Sequence, residues 1–124
     1  LVEATAFGTK AIVDRFEEEG VRIDNVIGIG GIALKSPFVM QTMCDVINKP
    51  IKVCNTDQAC ALGAAMFAAT AAGVYNKVED AIAVMNSGFS KEYVPNKANA
   101  ETYARLYKQY LCLGDFTEKQ LFNR

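Results

Sequence analysis

The stretch that most constrains the fold of this chain runs from residue 26 to residue 40. It opens with a short apolar run, is interrupted by Gly28, Gly30 and Gly31, and continues in an apolar segment that begins at Ser36. Serine accepts a hydrogen bond from a free N–H group at the start of a helix, and the proline that follows suits the first helical position. The pattern therefore predicts a strand, a glycine loop and a helix. Such loops let a ligand approach the main chain, and α/β sheets bind nucleotides at the carboxyl ends of their strands.

A helix and a second strand flank this stretch. Apolar residues at helical spacing predict a first helix over residues 1–19, which ends at Gly20. The apolar run Val26–Ile29 predicts a strand buried on both faces, and Ile51–Cys54 predicts the next strand. Because a helix connects the two strands, we expect them to pair in parallel through a right-handed crossover.

The rest of the chain reads as helical, with an extended stretch before the last helix. An alanine-rich helix follows the second strand, and two more helices complete the order α-β-α-β-α with C-terminal helices. Tyr103, Tyr107 and Tyr110 share one face of the last helix and are expected to pack against another helix. Gly114 is predicted to stop that helix, so that residues 115–124 form a tail. The order predicts an α/β fold, and two strands are few for a sheet, so we expect further strands upstream of residue 1.

Composition and charge exclude several classes of function. Hydrophobic residues make up 51% of the chain, which is enough for a core. The chain has no histidine, and its four cysteines form no CxxC pair, which argues against a zinc site or a histidine-dependent triad and favours buried, reduced thiols in the cytoplasm. The net charge is −1 without a basic stripe, so we expect no nucleic-acid partner. The longest apolar run is too short to span a membrane.

The glycine loop also fits two other nucleotide-binding patterns poorly. Residues 28–33 match the dinucleotide-binding fingerprint GxGxxA, in which a helix starts on the glycines. Here Ser36 predicts a later helix start, so we expect the glycines to lie in a loop, and no acidic residue ends the second strand. A P-loop is excluded because no Gly-Lys-Ser/Thr follows at the required spacing. A turn without any ligand is the structural alternative.

Two segments resemble one known family. Residues 30–41, Gly-Gly-Ile-Ala-Leu-Lys-Ser-Pro-Phe-Val-Met-Gln, resemble the adenosine motif of the FGGY carbohydrate kinases, and residues 58–65 resemble the helix after the next strand in that family. The resemblance implies part of a ribonuclease-H-like, actin-like ATPase domain. The first helix and the segment around residues 93–96 are most similar to the ribulokinase branch, whose substrate is a ketopentose.

The resemblance also implies roles for particular residues. Adenine and ribose would lie against the main chain of Gly30 and Gly31, and Ile32, Lys35 and Ser36 would complete the ATP-binding set. Lys35 stands where some relatives have Asn, and the helix-cap role of Ser36 is sufficient to explain that residue. No catalytic or metal-ligating residue is assigned, because the family's catalytic Asp and sugar-binding residues lie upstream.

The function implied for the full-length protein is transfer of the γ-phosphate of MgATP to a hydroxyl group of a sugar. Residues 1–114 would be the adenosine side of a partial C-terminal domain, residues 115–124 its tail, and the partners would be the missing N-terminal part of the kinase and the sugar. The segment alone is expected to be inactive, and its exposed sheet edge leaves homo-oligomerisation open. The alternatives are an actin-like ATPase with a mechanical or chaperone role, an interaction module with an inactive nucleotide loop, and a dinucleotide-binding domain.

Overall fold

A computed structural model describes residues 1–122, in which helices flank a three-stranded sheet. The elements in chain order are α1 (Val2–Glu18), β1 (Val26–Gly28), α2 (Gly31–Lys35), α3 (Pro37–Ile47), β2 (Ile51–Cys54), α4 (Ala59–Ala71), α5 (Val78–Met85), β3 (Phe89–Tyr93) and α6 (Lys97–Phe122).

The sheet confirms the parallel pairing and adds a strand. β1 and β2 are parallel, with Val26 opposite Ile51, and β3 pairs antiparallel with β2, with Tyr93 opposite Ile51. The expectation of two strands is therefore wrong for the described part of the chain. Four of the five residues of β3 are exposed and only Tyr93 is buried. A strand of this kind lacks the alternation of apolar and polar residues by which a half-buried strand is recognised in a sequence. Its place is decided by pairing with β2.

The core lies between the sheet and α3. Ile51 and Val53 of β2 are each 1% exposed and contact the buried residues of α3 that face the sheet. Those residues follow helical spacing and are Met40, Cys44 and Ile47. The same face of the sheet is covered by α1 and α6 beyond α3, whereas α4 and α5 lie against the other face, where they line a cavity with β1 and β2.

An aromatic cluster joins α6 to α1, as the tyrosine spacing predicts. The ring of Phe7 lies 5.8 Å from that of Tyr107 and 5.5 Å from that of Tyr110, measured between centroids. Burial, together with the negative charge of Asp14, raises the pKa of Tyr107 to about 12. The tyrosines therefore form a packed helix interface rather than a solvent-facing platform.

Of the two helix ends predicted at glycines, the one at Gly20 is confirmed and the one at Gly114 is wrong. Gly20 ends α1 with φ +84°, and the N–H of Val21 donates to the carbonyl of Phe16 at 2.9 Å, as in a Schellman motif. Gly114 does not end α6, which continues to Phe122, so that prediction is wrong. One glycine costs a helix only about 1 kcal/mol, and the turn from Glu118 to Leu121 consists of good helix formers. Residues 123 and 124 of the predicted tail lie outside the described residues, and the domain boundary at residue 114 stays a prediction.

A buried carboxylate fixes the start of α6. Asp45 of α3 is 2% exposed and accepts hydrogen bonds from the Gln41 side chain and the Asn96 backbone, both at 2.8 Å. Its second oxygen accepts a hydrogen bond from the Asn99 side chain at 2.8 Å. Three donors thus replace the water that the buried carboxylate loses, and no buried side-chain N or O atom in the described part of the chain lacks a partner.

Replacing this carboxylate is predicted to destabilise the chain. Asp45→Ala leaves three donors without their acceptor and should lower the free energy of unfolding by about 3 kcal/mol. Asp24→Ala is the matched control, because Asp24 pairs with Arg22 on the surface and should cost no more than about 0.5 kcal/mol. Urea unfolding followed by circular dichroism measures both. Equal losses in the two variants would contradict a structural role for the Asp45 network.

Candidate functional site

Gly28 at the end of β1 and Gly30 and Gly31 after it have different surroundings, and Gly28 serves packing. A Cβ atom built on Gly28 would lie 2.8 Å from Cε of Met40 and 3.4 Å from Cβ of Ala33. Gly28 therefore lets α2 and α3 sit close to the end of β1. A Cβ at Gly28 would displace the flexible end of the Met40 side chain and would lie close to Ala33.

Gly30 makes the turn from strand to helix. Its φ is +87° and its ψ is 176°, a conformation that residues with a Cβ rarely adopt. The N–H of Leu34 donates to the carbonyl of Gly30 at 3.4 Å, so the glycine is also the N-cap of α2. The expectation that both glycines lie in a loop is therefore wrong for Gly31, which is the first residue of a one-turn helix.

Gly31 is open to approach from outside. A Cβ atom built on this residue meets no other atom within 4 Å, and positive φ belongs to Gly30 and not to Gly31. The described chain itself thus gives no packing or backbone reason for a glycine at this position. A glycine at this position would allow another molecule to approach the main chain closely.

The single turn of α2 has one side chain in the core and others exposed to solvent. Ala33 is buried against the core, whereas Ile32 is 68% exposed and Lys35 also faces outward. Ser36 interrupts the helix with φ −122°, because the proline that follows disfavours helical geometry at that residue. Its hydroxyl oxygen accepts a hydrogen bond from the Val39 N–H at 3.4 Å. The structure therefore places Gly31, Ile32 and Lys35 on an accessible turn and uses the Ser36 side chain as a helix cap.

A cavity of about 450 Å³ lies at the carboxyl ends of β1 and β2; its lining reaches Ile29, the residue before Gly30, and includes none of residues 30–36. Ile27 and Ile29, which the sequence predicts to be buried, are each 56% exposed because they border this space. Residues of β2, α4, α5 and β3 complete an almost entirely apolar lining, among them Cys54, Leu62, Met66, Ile82 and Phe89. The sequence patterns did not reveal this cavity, since its walls come together only through the pairing of β3 and the packing of α5.

The chemistry of the site is that of binding. The cavity lining has no carboxylate, lysine or arginine, and no group of three or more Cys, Asp or Glu side chains within residues 1–122 is arranged to hold a metal ion. The Cys44 thiol lies in the core, where burial and the charge of Asp45 raise its pKa to about 11, so it is not a nucleophile at neutral pH. Cys60 and Cys112 are exposed, so the expectation of buried thiols is wrong for these two. The candidate site therefore consists of the open main chain at Gly31 and the apolar cavity that Ile29 lines.

Comparison with known proteins gives one family. A family profile described as "FGGY family of carbohydrate kinases, C-terminal domain" matches residues 1–72. The chain is 51% identical over 119 residues to a ribulokinase of Vibrio parahaemolyticus and 44% identical over 124 residues to a ribulokinase of Bacillus licheniformis. These matches cover 96% and 97% of the chain but only 21% and 22% of the relatives, so the chain spans about a fifth of their length.

A solved structure agrees with the sequence matches. The crystal structure of xylulose kinase from Rhodospirillum rubrum superposes with a TM-score of 0.79 and 27% identity, covering 100% of this chain and 25% of that one. Neither a dinucleotide-binding fold nor a chaperone ATPase is favoured by these matches. Residues 1–122 contain no helix with the length and apolar content that a bilayer crossing requires.

Alanine substitutions are predicted to separate the roles of Gly30 and Gly31. Gly30→Ala forces a Cβ into a glycine-only conformation and should lower the free energy of unfolding by about 2 kcal/mol. Gly31→Ala should leave it unchanged or raise it by up to about 1 kcal/mol, because the site is open and the residue is helical. Chemical denaturation of both variants checks the pair. A large loss from Gly31→Ala would show that Gly31 is needed for folding.

Proposed function

The chain belongs to the FGGY family of carbohydrate kinases, and from that premise we propose that it forms the adenosine-binding part of an ATP-dependent sugar kinase. In this proposal the chain is the C-terminal portion of a longer protein whose upstream part supplies the remainder of the active site. The observation that carries the proposal is the open main chain at Gly31, two residues after Ile29, which lines a cavity at the carboxyl ends of parallel strands.

The shape of the loop suits a flat ligand that needs close approach. Gly30 turns the chain sharply, and the absence of a side chain at Gly31 leaves its backbone free to touch a ribose or an adenine. The adjoining apolar cavity lies within the range of sizes typical of ligand sites, about 300–1,000 Å³, and offers surface against which a base can pack. Binding there removes apolar surface of Ile29 from water.

The outward side chains of α2 would border the nucleotide. Ile32 supplies apolar contact and Lys35 a positive charge on the same accessible turn. The Ser36 hydroxyl caps α3. We therefore assign Ser36 to the site only because it directly follows Lys35 in the chain. The ATP-binding set is thus Gly30, Gly31, Ile32, Lys35 and Ser36.

Phosphoryl transfer itself would depend on residues outside this chain. The reaction requires the γ-phosphate, the metal ion and the acceptor hydroxyl to be held in line, with a base to take the proton. The lining of the described cavity has no acidic residue to act as that base or to bind Mg²⁺. Mg²⁺ would accompany the ATP phosphates at residues upstream, and the 124-residue chain alone would be inactive.

The substrate we propose is a ketopentose, with L-ribulose first, in a cytoplasmic enzyme. The relatives that match over nearly the whole chain are named ribulokinases, and the superposed structure is a xylulose kinase. Both names denote kinases of five-carbon ketoses. The free thiols among residues 1–122 are consistent with a reducing compartment.

A panel of sugars is predicted to show this preference. The full-length protein is assayed by coupled ADP release with ribulose, xylulose, glycerol and gluconate at saturating MgATP. We expect the highest kcat/KM with L-ribulose, and no activity from residues 1–124 alone. A preference for glycerol or gluconate would overturn the ketopentose assignment, and no activity with any sugar would overturn the kinase assignment.

Valine at Gly31 is predicted to weaken ATP binding selectively. In the full-length enzyme Gly31→Val should raise the KM for ATP about tenfold or more, since each 1.4 kcal/mol of lost binding is a factor of about ten. The KM for the sugar and the kcat at saturating ATP should change little, because the lost contact is made equally before and during the reaction.

The control for this variant is Ala98→Val, which places the same β-branched side chain in the exposed first turn of α6. Melting temperatures of both variants are measured beside the kinetics. A folded Gly31→Val enzyme with the wild-type KM for ATP would remove Gly31 from the nucleotide site. A parallel loss for both substrates with a lowered melting temperature would identify a folding defect instead.

A further inference from the structure

Helices α4 and α5 form one wall of the cavity and are attached to the sheet at two neighbouring points. Cys54, the last residue of β2, is paired with Phe89, the first residue of β3, and the two helices lie between these strands in the chain. The helices pack on each other, but only one residue of each is buried. The position of this wall over the cavity therefore depends on the two connections to the sheet, residues 55–58 and 86–88.

The side chain of Asn86 ties the end of α5 to the connection that follows it. Its Nδ2 atom donates hydrogen bonds to the carbonyls of Ile82 at 2.9 Å and Ala83 at 3.3 Å, both in the last turn of α5. Its Oδ1 atom accepts a hydrogen bond from the Gly88 N–H at 3.0 Å. One side chain thus bonds to carbonyls at the end of the helix and also fixes the direction in which the chain leaves α5.

Gly88 extends this series of hydrogen bonds to the other connection. It adopts φ +68°, and its carbonyl accepts a hydrogen bond at 3.0 Å from the N–H of Asn55, the residue directly after β2. Hydrogen bonds therefore run from the last turn of α5 through Asn86 and Gly88 to the connection between β2 and α4. The cavity lining includes Asn86, Gly88 and Thr56, so the series of hydrogen bonds follows the cavity wall.

We propose that Asn86 is a positioning residue for nucleotide binding, which holds the α5 wall of the cavity in place for the base. The inference rests on the proposed function, in which adenosine lies at Gly31 with its base toward the cavity. Both polar atoms of the Asn86 amide are engaged within the chain, so the residue acts through the apolar side chains on either side of it. Those side chains are Ile82 and Phe89 of the cavity lining. A wall that is already held in place loses less conformational freedom when a ligand binds.

Alanine at Asn86 is predicted to weaken ATP binding in the full-length protein. Asn86→Ala should raise the KM for ATP about three- to tenfold, because ordering of the wall then opposes binding. The kcat at saturating ATP and the KM for the sugar should change little. Asn86→Ser should restore most of the affinity, because a serine hydroxyl can also accept a hydrogen bond from the N–H two residues later. Asn76→Ala is the matched control, since Asn76 is exposed before the start of α5 and outside the cavity lining, and it should keep the wild-type KM for ATP.

Hydrogen exchange without nucleotide tests whether Asn86 holds the wall. Read by mass spectrometry, peptides that contain Asn55 or Gly88 should exchange faster in Asn86→Ala than in the wild-type protein, and at the wild-type rate in Asn76→Ala. Wild-type exchange in Asn86→Ala would overturn the proposal, and so would faster exchange with a wild-type KM for ATP.

The kinetic results separate this proposal from the kinase assignment. A rise in the KM for both ATP and sugar in Asn86→Ala, with a lowered melting temperature, would show a general role in folding and overturn the positioning role alone. A wild-type protein that phosphorylates no sugar would overturn the proposed function and the role of Asn86 with it. An active wild-type enzyme with an unaffected Asn86→Ala variant would overturn only the role of Asn86.

Discussion

The structure depends on one change of backbone direction, at Gly30. β1 enters this turn paired to β2, and α2 leaves it with Ala33 in the core, so both sides of the turn are fixed by burial. A residue with a Cβ would resist the conformation that joins them. The same geometry that closes the core at Gly28 leaves the main chain of Gly31 uncovered. The glycine that the backbone turn requires and the glycine with the open main chain are therefore neighbours in the chain.

The two faces of the sheet differ in how closely they are packed. One face is sealed by α3, α1 and α6, with the Asp45 hydrogen bonds and the aromatic cluster around Phe7 holding α6 in place. The other face faces α4 and α5 across an apolar cavity that reaches the ends of both parallel strands. In the proposed function adenosine would bind near this second face, so that nucleotide exchange would leave the packed face undisturbed.

Local patterns in the sequence predict much of the fold but only part of the candidate site. Ser36 with its proline predicted the start of α3, and Gly20 predicted the end of α1, because caps act within one turn. The extended stretch before the last helix is predicted, but its pairing with β2 is not, because its exposed residues carry no apolar alternation. The predicted helix end at Gly114 is wrong, because one glycine costs a helix only about 1 kcal/mol. The sequence predicts a turn at Gly30 and Gly31. It does not predict α2 or the cavity, because both depend on contacts between residues that are far apart in the chain.

In the proposed function, adenosine lies against the turn at Gly30 and Gly31. A crystal structure of the full-length protein with a non-hydrolysable ATP analogue tests it most directly. We expect adenosine atoms within about 4 Å of the main chain of Gly31, which is van der Waals contact, with the base toward the cavity that Ile29 borders. An analogue bound with its adenosine remote from residues 30–36 would contradict the claim, even if the protein proved to be a sugar kinase.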